Sequence, residues 1–311
     1  MQRSAFQTRW RQRLSAWALL MAGCCLVAAE PLKVCVSEDS PPQSRVSKGK
    51  ASGLDVRLAE AVAAALGRPL TIVPFETEFE KESTLTQEVN ALLSAGVCDL
   101  VSGFPLLQSD LGPASRPSAR TPDYPGAKRK RERPFVPLGE LVASKAYQAA
   151  TLGVVLRAGQ PPVSGLMDLQ GRKVGAVTGT LAGTLVSLYR NGALRGGMVS
   201  LSQRESAWSA LESGRIDALI LPTEAFDAHR LQAPASDLTL ATYQRPIGVN
   251  LGFVTLATAP ADLLQGTNKV LSRVMADGRL KQWAREEGLS WHPPSLPEVS
   301  PGPTLLSLVS D

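Results

Sequence analysis

The chain has 311 residues, 44% of them hydrophobic, and a formal net charge of +5. Arg3, Arg9, Arg11 and Arg13 all precede Leu14, and taking these four from +5 leaves +1 for the rest. A balance so close to neutral gives no global case for nucleic-acid binding, and about 280 residues after that segment suffice for two ordinary cores.

The basic start leads into LSAWALLMAGCCLVAA, an apolar run shorter than the roughly 20 residues of a membrane span, which ends in small residues. That order reads as a secretory signal over residues 1–29, cleaved after Ala29 and directing the chain to the periplasm. The alternative is lipoprotein processing at Cys24, because Met21-Ala22-Gly23-Cys24 resembles a lipobox.

LKVCV (32–36) is a short buried strand, and Leu54, Leu58, Val62 and Leu66 trace one face of a helix that Gly67 stops. LTIV follows as a strand, then a helix carrying Leu85, Val89, Leu92 and Leu93, then the strand in CDLV. The same grammar returns in RKVGAV, a helix over Leu181 to Leu188, and LSQRESAWSALESGRIDALIL. Leu93-x-x-Gly96-x-x-Asp99 and Leu211-x-x-Gly214-x-x-Asp217 have identical spacing, each with a glycine just past a helix and an aspartate at a strand entrance. Strands alternating with helices imply parallel crossovers, and the repeated punctuation implies two similar α/β lobes.

Between the halves, residues 109–140 carry Pro113, Pro117, Pro122, Pro125, Pro134 and Pro137, with the basic run Lys128 to Arg133. This proline density predicts a long surface loop outside either core, whose charge is either solvated or a dock for an acidic partner. LGFVTLAT then returns as a strand, Leu263 to Met275 form an amphipathic helix, and the proline-rich residues 292–311 are expected to be a disordered tail.

Catalytic signatures are absent: there is no G-x-S-x-G elbow, Walker loop or G-x-G-x-x-G. His229 and His292 stand in no zinc-ligand spacing, so neither a metal nor a cofactor is expected. Glu38 and Asp39 read as a solvated loop. Outside the signal, Cys35 and Cys98 leave two readings, one disulfide or two buried thiols. At Lys173 to Thr180 a strand ends and a helix opens on Gly179-Thr180. Unpaired N–H groups there suit an anionic or hydrogen-bond-accepting ligand, while the plainer reading makes Thr180 a helix cap.

In order and spacing, GLDVRLAE (53–60), the two Gly-x-x-Asp openings, VGAVTGT, ESGRIDALI and VLSRVMADGRLKQW resemble the family 3 extracellular solute-binding proteins, receptors of polar amino-acid ABC importers. The resemblance spans roughly residues 32–291. It implies a type II periplasmic-binding-protein fold, non-enzymatic and monomeric, with lobe one from 30–148 and 249–291 and lobe two from 149–248. Two strands cross between them near Tyr147 to Leu152 and Pro246 to Asn250, with a small-molecule ligand between the lobes and an inner-membrane permease as partner. The implied ligand positions are Asp39 and Ser40 after the first strand, Phe104 and Pro105 after the third, Gly179 and Thr180, and Pro222 and Thr223 in lobe two.

The family's carboxylate-clamping arginine has no counterpart in FPLLQSDL (104–111); its ammonium-binding aspartate is replaced by Pro222, and its aromatic after the first strand by Ser40. A free zwitterion would bury charges without full partners, so the expected ligand is a small polar or anionic molecule other than a standard amino acid. Cys35 with CDLVSGFP (98–105) is also similar to the subgroup encoded with pyrroloquinoline-quinone alcohol dehydrogenases. That implies an alternative role as a partner of a periplasmic quinoprotein dehydrogenase, and in either role Cys35 and Cys98 are expected to pair.

Overall fold

The computed structural model describes residues 29–78 and 83–309. The signal segment before Ala29 and the Cys24 alternative lie outside the described residues. Lobe one opens with β1 (Leu32–Ser37), a small antiparallel sheet of β2 (Asp39–Ser40), β3 (Ser44–Ser47) and β4 (Lys50–Ser52), then α1 (Leu54–Leu66), β5 (Leu70–Phe75), α2 (Leu85–Ser94) and β6 (Leu100–Pro105). The short strands β7 (Ser118–Ala119) and β8 (Val136–Pro137) precede the long β9 (Leu141–Arg157). Lobe two holds β10 (Val174–Val177), α3 (Leu181–Leu188), β11 (Met198–Leu201), α4 (Ala207–Glu212), β12 (Ala218–Pro222) and α5 (Thr223–Gln232). The long β13 (Leu238–Leu256) returns to α6 (Ala261–Ala276) and α7 (Arg279–Glu287), and α8 (Leu305–Val309) follows.

The strands form one eight-stranded sheet in the order β11-β10-β12-β9-β13-β6-β1-β5. Pairing is parallel within each lobe, β1 with β5 and β6, β10 with β11 and β12, as the alternating pattern predicts. The antiparallel pair β9 and β13 joins the two: β9 pairs with β12 from Leu152 to Leu156, and β13 with β6 from Leu251 to Val254. The register between β9 and β13 shifts between Pro246 and Asn250, where the chain passes from one lobe to the other.

Local chemistry explains the element boundaries. Gly53 has φ of 112°, and a Cβ there would stand 2.3 Å from the Gln43 carbonyl oxygen, so only glycine lets α1 start against that loop. A capping box of Thr84 and Gln87 starts α2. In lobe one, Leu54, Leu58 and Val62 of α1 pack with Val270, Leu271 and Val274 of α6; in lobe two, Leu185 and Val186 of α3 pack with Val154 and Ile220.

The repeated L-x-x-G-x-x-D spacing has a structural reason beyond the glycine turn. The Asp99 carboxylate accepts from the Lys33 backbone N–H at 3.0 Å, and Asp217 accepts from Lys173 N–H at 2.9 Å. Arg68 pairs with Asp99 at 3.0 Å, and Arg157 with Asp217 at 3.7 Å. Each aspartate thus pins the entrance of the neighbouring parallel strand.

Cys35 of β1 and Cys98, in the turn ahead of β6, form a disulfide with Cα atoms 5.7 Å apart. The tail expectation is corrected. Residues 292–309 are packed, because the buried Asn250 side chain holds the Ser295, Pro297 and Glu298 carbonyls, giving proline-rich backbone the partners it lacks within itself. The 109–140 segment is likewise seated on lobe one: Leu111 and Tyr124 pack against its core, and the buried Arg133 holds the Thr121 and Lys128 carbonyls. Lys130 and Arg133 both pair with Glu78, so two cations of the basic run are engaged within the chain.

Candidate ligand cleft

A cavity of about 630 Å³ lies between the lobes. Lobe one lines it with the stretch from Ser37 at the end of β1 to Ser44 at the start of β3, Asp55 of α1, Phe75 at the end of β5 and Thr77 beyond it, and Ser102 to Phe104 of β6. The crossing strands add Ala150 and Leu251. Lobe two contributes one helix face, Glu224, Ala225, Ala228 and Gln232 of α5, at the spacing that puts side chains on one side of a helix.

Asp55 is the most constrained polar group there. It starts α1, where Gly53 turns the chain inward, and is 2% exposed. The Tyr147 hydroxyl donates to it at 2.7 Å and accepts from the Gly103 N–H at 2.8 Å. Gly103 has φ of +67°, and a Cβ there would come within 3.0 Å of the Asp55 carboxylate. Burial raises the Asp55 pKa from 3.8 to about 6, against the lowering by Tyr147 and Ser102.

Across the cavity, Glu224 accepts from the Gln148 amide at 3.2 Å, and burial raises its pKa too. Gln148 lies on β9, fully buried, with its Oε1 unpartnered among the described residues. Asp39 is the third carboxylate of the lining and sits in an exposed pair with Arg45 at 3.6 Å. Among the described residues, no lysine, arginine or histidine lines the cavity. Two desolvated carboxylates therefore face one space from opposite lobes, with no countercharge among the described residues of its walls.

Of the sequence-expected positions, Asp39, Ser40 and Phe104 line this cavity; Pro105, Gly179, Thr180, Pro222 and Thr223 do not. Thr180 is a helix cap: its hydroxyl accepts from the Gly183 N–H at 3.2 Å and donates to the Val177 carbonyl at 2.7 Å. Gly179 is exposed, Thr223 is buried at the first position of α5, and Pro222 pairs with Leu152 in the sheet. The expectation of an anionic ligand loses its support, since it rested on a helix start outside the cavity. Asp55 and Glu224 were missed because isolated carboxylates in helical segments are ordinarily solvated. The available signal was Asp55 two residues after an inward-turning glycine. Among the described residues no cluster of His, Cys, Asp or Glu has metal-binding composition, and no helix is long and apolar enough to cross a membrane.

Two α/β lobes joined by two crossing strands around a cleft define the type II periplasmic-binding-protein fold. No family model and no curated protein matches the sequence. Solved structures do: substrate binding domain 2 of Lactococcus lactis GlnP in open conformation has a TM-score of 0.60 at 16% identity, covering 85% of this chain and 99% of that one. A second substrate binding domain, assigned to an amino acid ABC transporter of Streptococcus pneumoniae, has a TM-score of 0.59 at 16% identity, covering 83% and 100%. An ancestral cationic amino acid solute binding protein has a TM-score of 0.54 at 20% identity, covering 82% and 94%. At these identities the likeness is one of fold, shared with the binding proteins of amino-acid ABC transporters.

Proposed function

We propose that the chain is an exported solute-binding protein whose cleft holds a small organic cation without a carboxylate, such as an amine or guanidine compound, and hands it to an inner-membrane permease. One observation carries this reading: Asp55 and Glu224 line one cavity from opposite lobes, both desolvated, with no cation among the described residues of its walls. Burying carboxylates without a countercharge is costly even when they are hydrogen-bonded, and a bound cation offsets that cost for both lobes at once. A zwitterionic amino acid fits less well, because its carboxylate would enter a space already acidic. The alternative role on a quinoprotein dehydrogenase rests on the Cys35 and CDLVSGFP resemblance alone.

Ligand binding to the folded state adds stability by mass action, about 2.7 kcal/mol at a hundredfold excess over Kd, and so raises the melting temperature. A thermal-shift series with diaminobutane, agmatine, arginine, glutamate and succinate tests the reading. Amines lacking a carboxylate are expected to raise Tm by several degrees, with the shift lost in Asp55→Asn/Glu224→Gln. Stabilisation by glutamate or succinate instead would overturn it.

A further inference from the structure

The segment after α7 touches both lobes and the hinge. Its middle is fixed to the crossing strands and lobe one. The Trp291 indole donates to the Tyr147 carbonyl at 2.8 Å, Ala149 N–H to the His292 carbonyl at 3.1 Å, and Ala146 N–H to the Glu298 carboxylate at 2.9 Å. Ser300 exchanges backbone hydrogen bonds with Leu106 and Gln108, at 2.9 and 2.8 Å.

Its two ends reach lobe two. At the near end the buried Asp227 of α5 accepts from the Ser290 N–H at 2.6 Å and from its hydroxyl at 2.8 Å, and Arg230 donates to the Gly288 carbonyl at 2.8 Å. At the far end α8 packs on α3 with Leu308 buried, and Arg245 of β13 donates to the Ser307 carbonyl at 2.7 Å. The same α5 lines the cleft through Glu224, Ala225, Ala228 and Gln232. A ligand that draws α5 toward lobe one must therefore shift α5 against Ser290.

We propose that residues 288–309 are a brace, footed on lobe one and the crossing strands and gripping α5 and α3 of lobe two, that resists lobe rotation, so that cleft closure proceeds against it. Rotation of lobe two as a body would break or bend hydrogen bonds at both ends, whereas the footing on lobe one would be untouched. The proposal does not depend on ligand identity.

Spin labels at Glu60→Cys of α1 and Glu212→Cys of α4, both exposed, report the interlobe distance by electron-electron dipolar spectroscopy. Cys35–Cys98 is kept oxidised, and Cys24 and Cys25 are changed to serine where the chain retains them. The intact chain is expected to give one narrow distribution. Arg230→Ala/Ser290→Ala, and a chain ended at Ser300, are expected to widen it at least about twofold or shift its mean. Ser290→Ala alone, which removes one side-chain hydrogen bond, is the milder variant if either fails to fold, and is expected to widen the distribution measurably. Distributions that superimpose on the parent's in folded variants would overturn the brace.

Discussion

The Tyr147 hydroxyl, on the strand that crosses between the lobes, donates a 2.7 Å hydrogen bond to Asp55 at the start of α1. Burial still wins at this carboxyl, raising its pKa from 3.8 to about 6. A raised folded pKa means that the native state binds the proton more tightly than the unfolded chain. The associated stability is fully present below about pH 4 and is lost as pH rises through about 6. At about 1.4 kcal/mol per unit, the loss is on the order of 3 kcal/mol. Asp55→Asn, whose amide oxygen can still accept from Tyr147, is expected to flatten the urea-stability profile over this range. A profile identical to the parent's would show that Asp55 is not desolvated.

Gly53 and Gly67 both take positive φ, but only Gly53 lies against backbone: a Cβ would meet Gln43 oxygen at 2.3 Å, whereas nothing lies within 4 Å of Gly67. Gly67→Ala is expected to cost about 1 kcal/mol, the conformational penalty alone. Gly53→Ala adds a displaced loop at the cleft wall and is expected to cost at least about 3 kcal/mol. Equal urea midpoints for the two variants would defeat the steric account.

The Cys35–Cys98 bridge closes a loop with a sequence separation of 63. Chain entropy assigns such a crosslink about 4 kcal/mol. Cys35→Ala/Cys98→Ala is expected to lower unfolding stability by roughly that amount, and both cysteines are buried, so reductant without denaturant should leave the parent unchanged. Thiol titration of the denatured, unreduced parent decides the pairing: two reactive thiols from these positions would exclude it.

Arg133 is 7% exposed and ties the proline-rich segment together through the Lys128 and Thr121 carbonyls and through Glu78 and Asp123. Removing it leaves the buried Thr121 carbonyl without this donor. Arg133→Ala is expected to speed tryptic cleavage at Arg129 and Arg131 at least about tenfold through local opening. An unchanged cleavage rate, read by mass spectrometry, would mean that the segment is held by its other contacts.

Much of the fold was legible because its determinants are local. The one-sided spacing of Leu54, Leu58 and Val62, and the glycines at 67, 96 and 214 in left-handed conformation, are properties of a few adjacent residues. The site was less legible. Asp39, Ser40 and Phe104 were placed by analogy after strand ends and do line the cavity, but Gly179-Thr180 has the same local chemistry whether it binds a ligand or caps a helix.

The sequence by itself determined the alternation of strands and helices, the two-lobed repeat and the near-neutral balance after the basic start, since each depends on periodicity or composition. Only the tertiary structure decided that α5 supplies lobe two's cleft wall, that Asp55 and Glu224 share a cavity, and that residues 292–309 are packed. Proline density forbids regular helix or central strand, but it does not forbid packing. Whether a proline-rich segment is ordered depends on partners far away in the chain, and here Asn250, placed by the crossing of β13, supplies them.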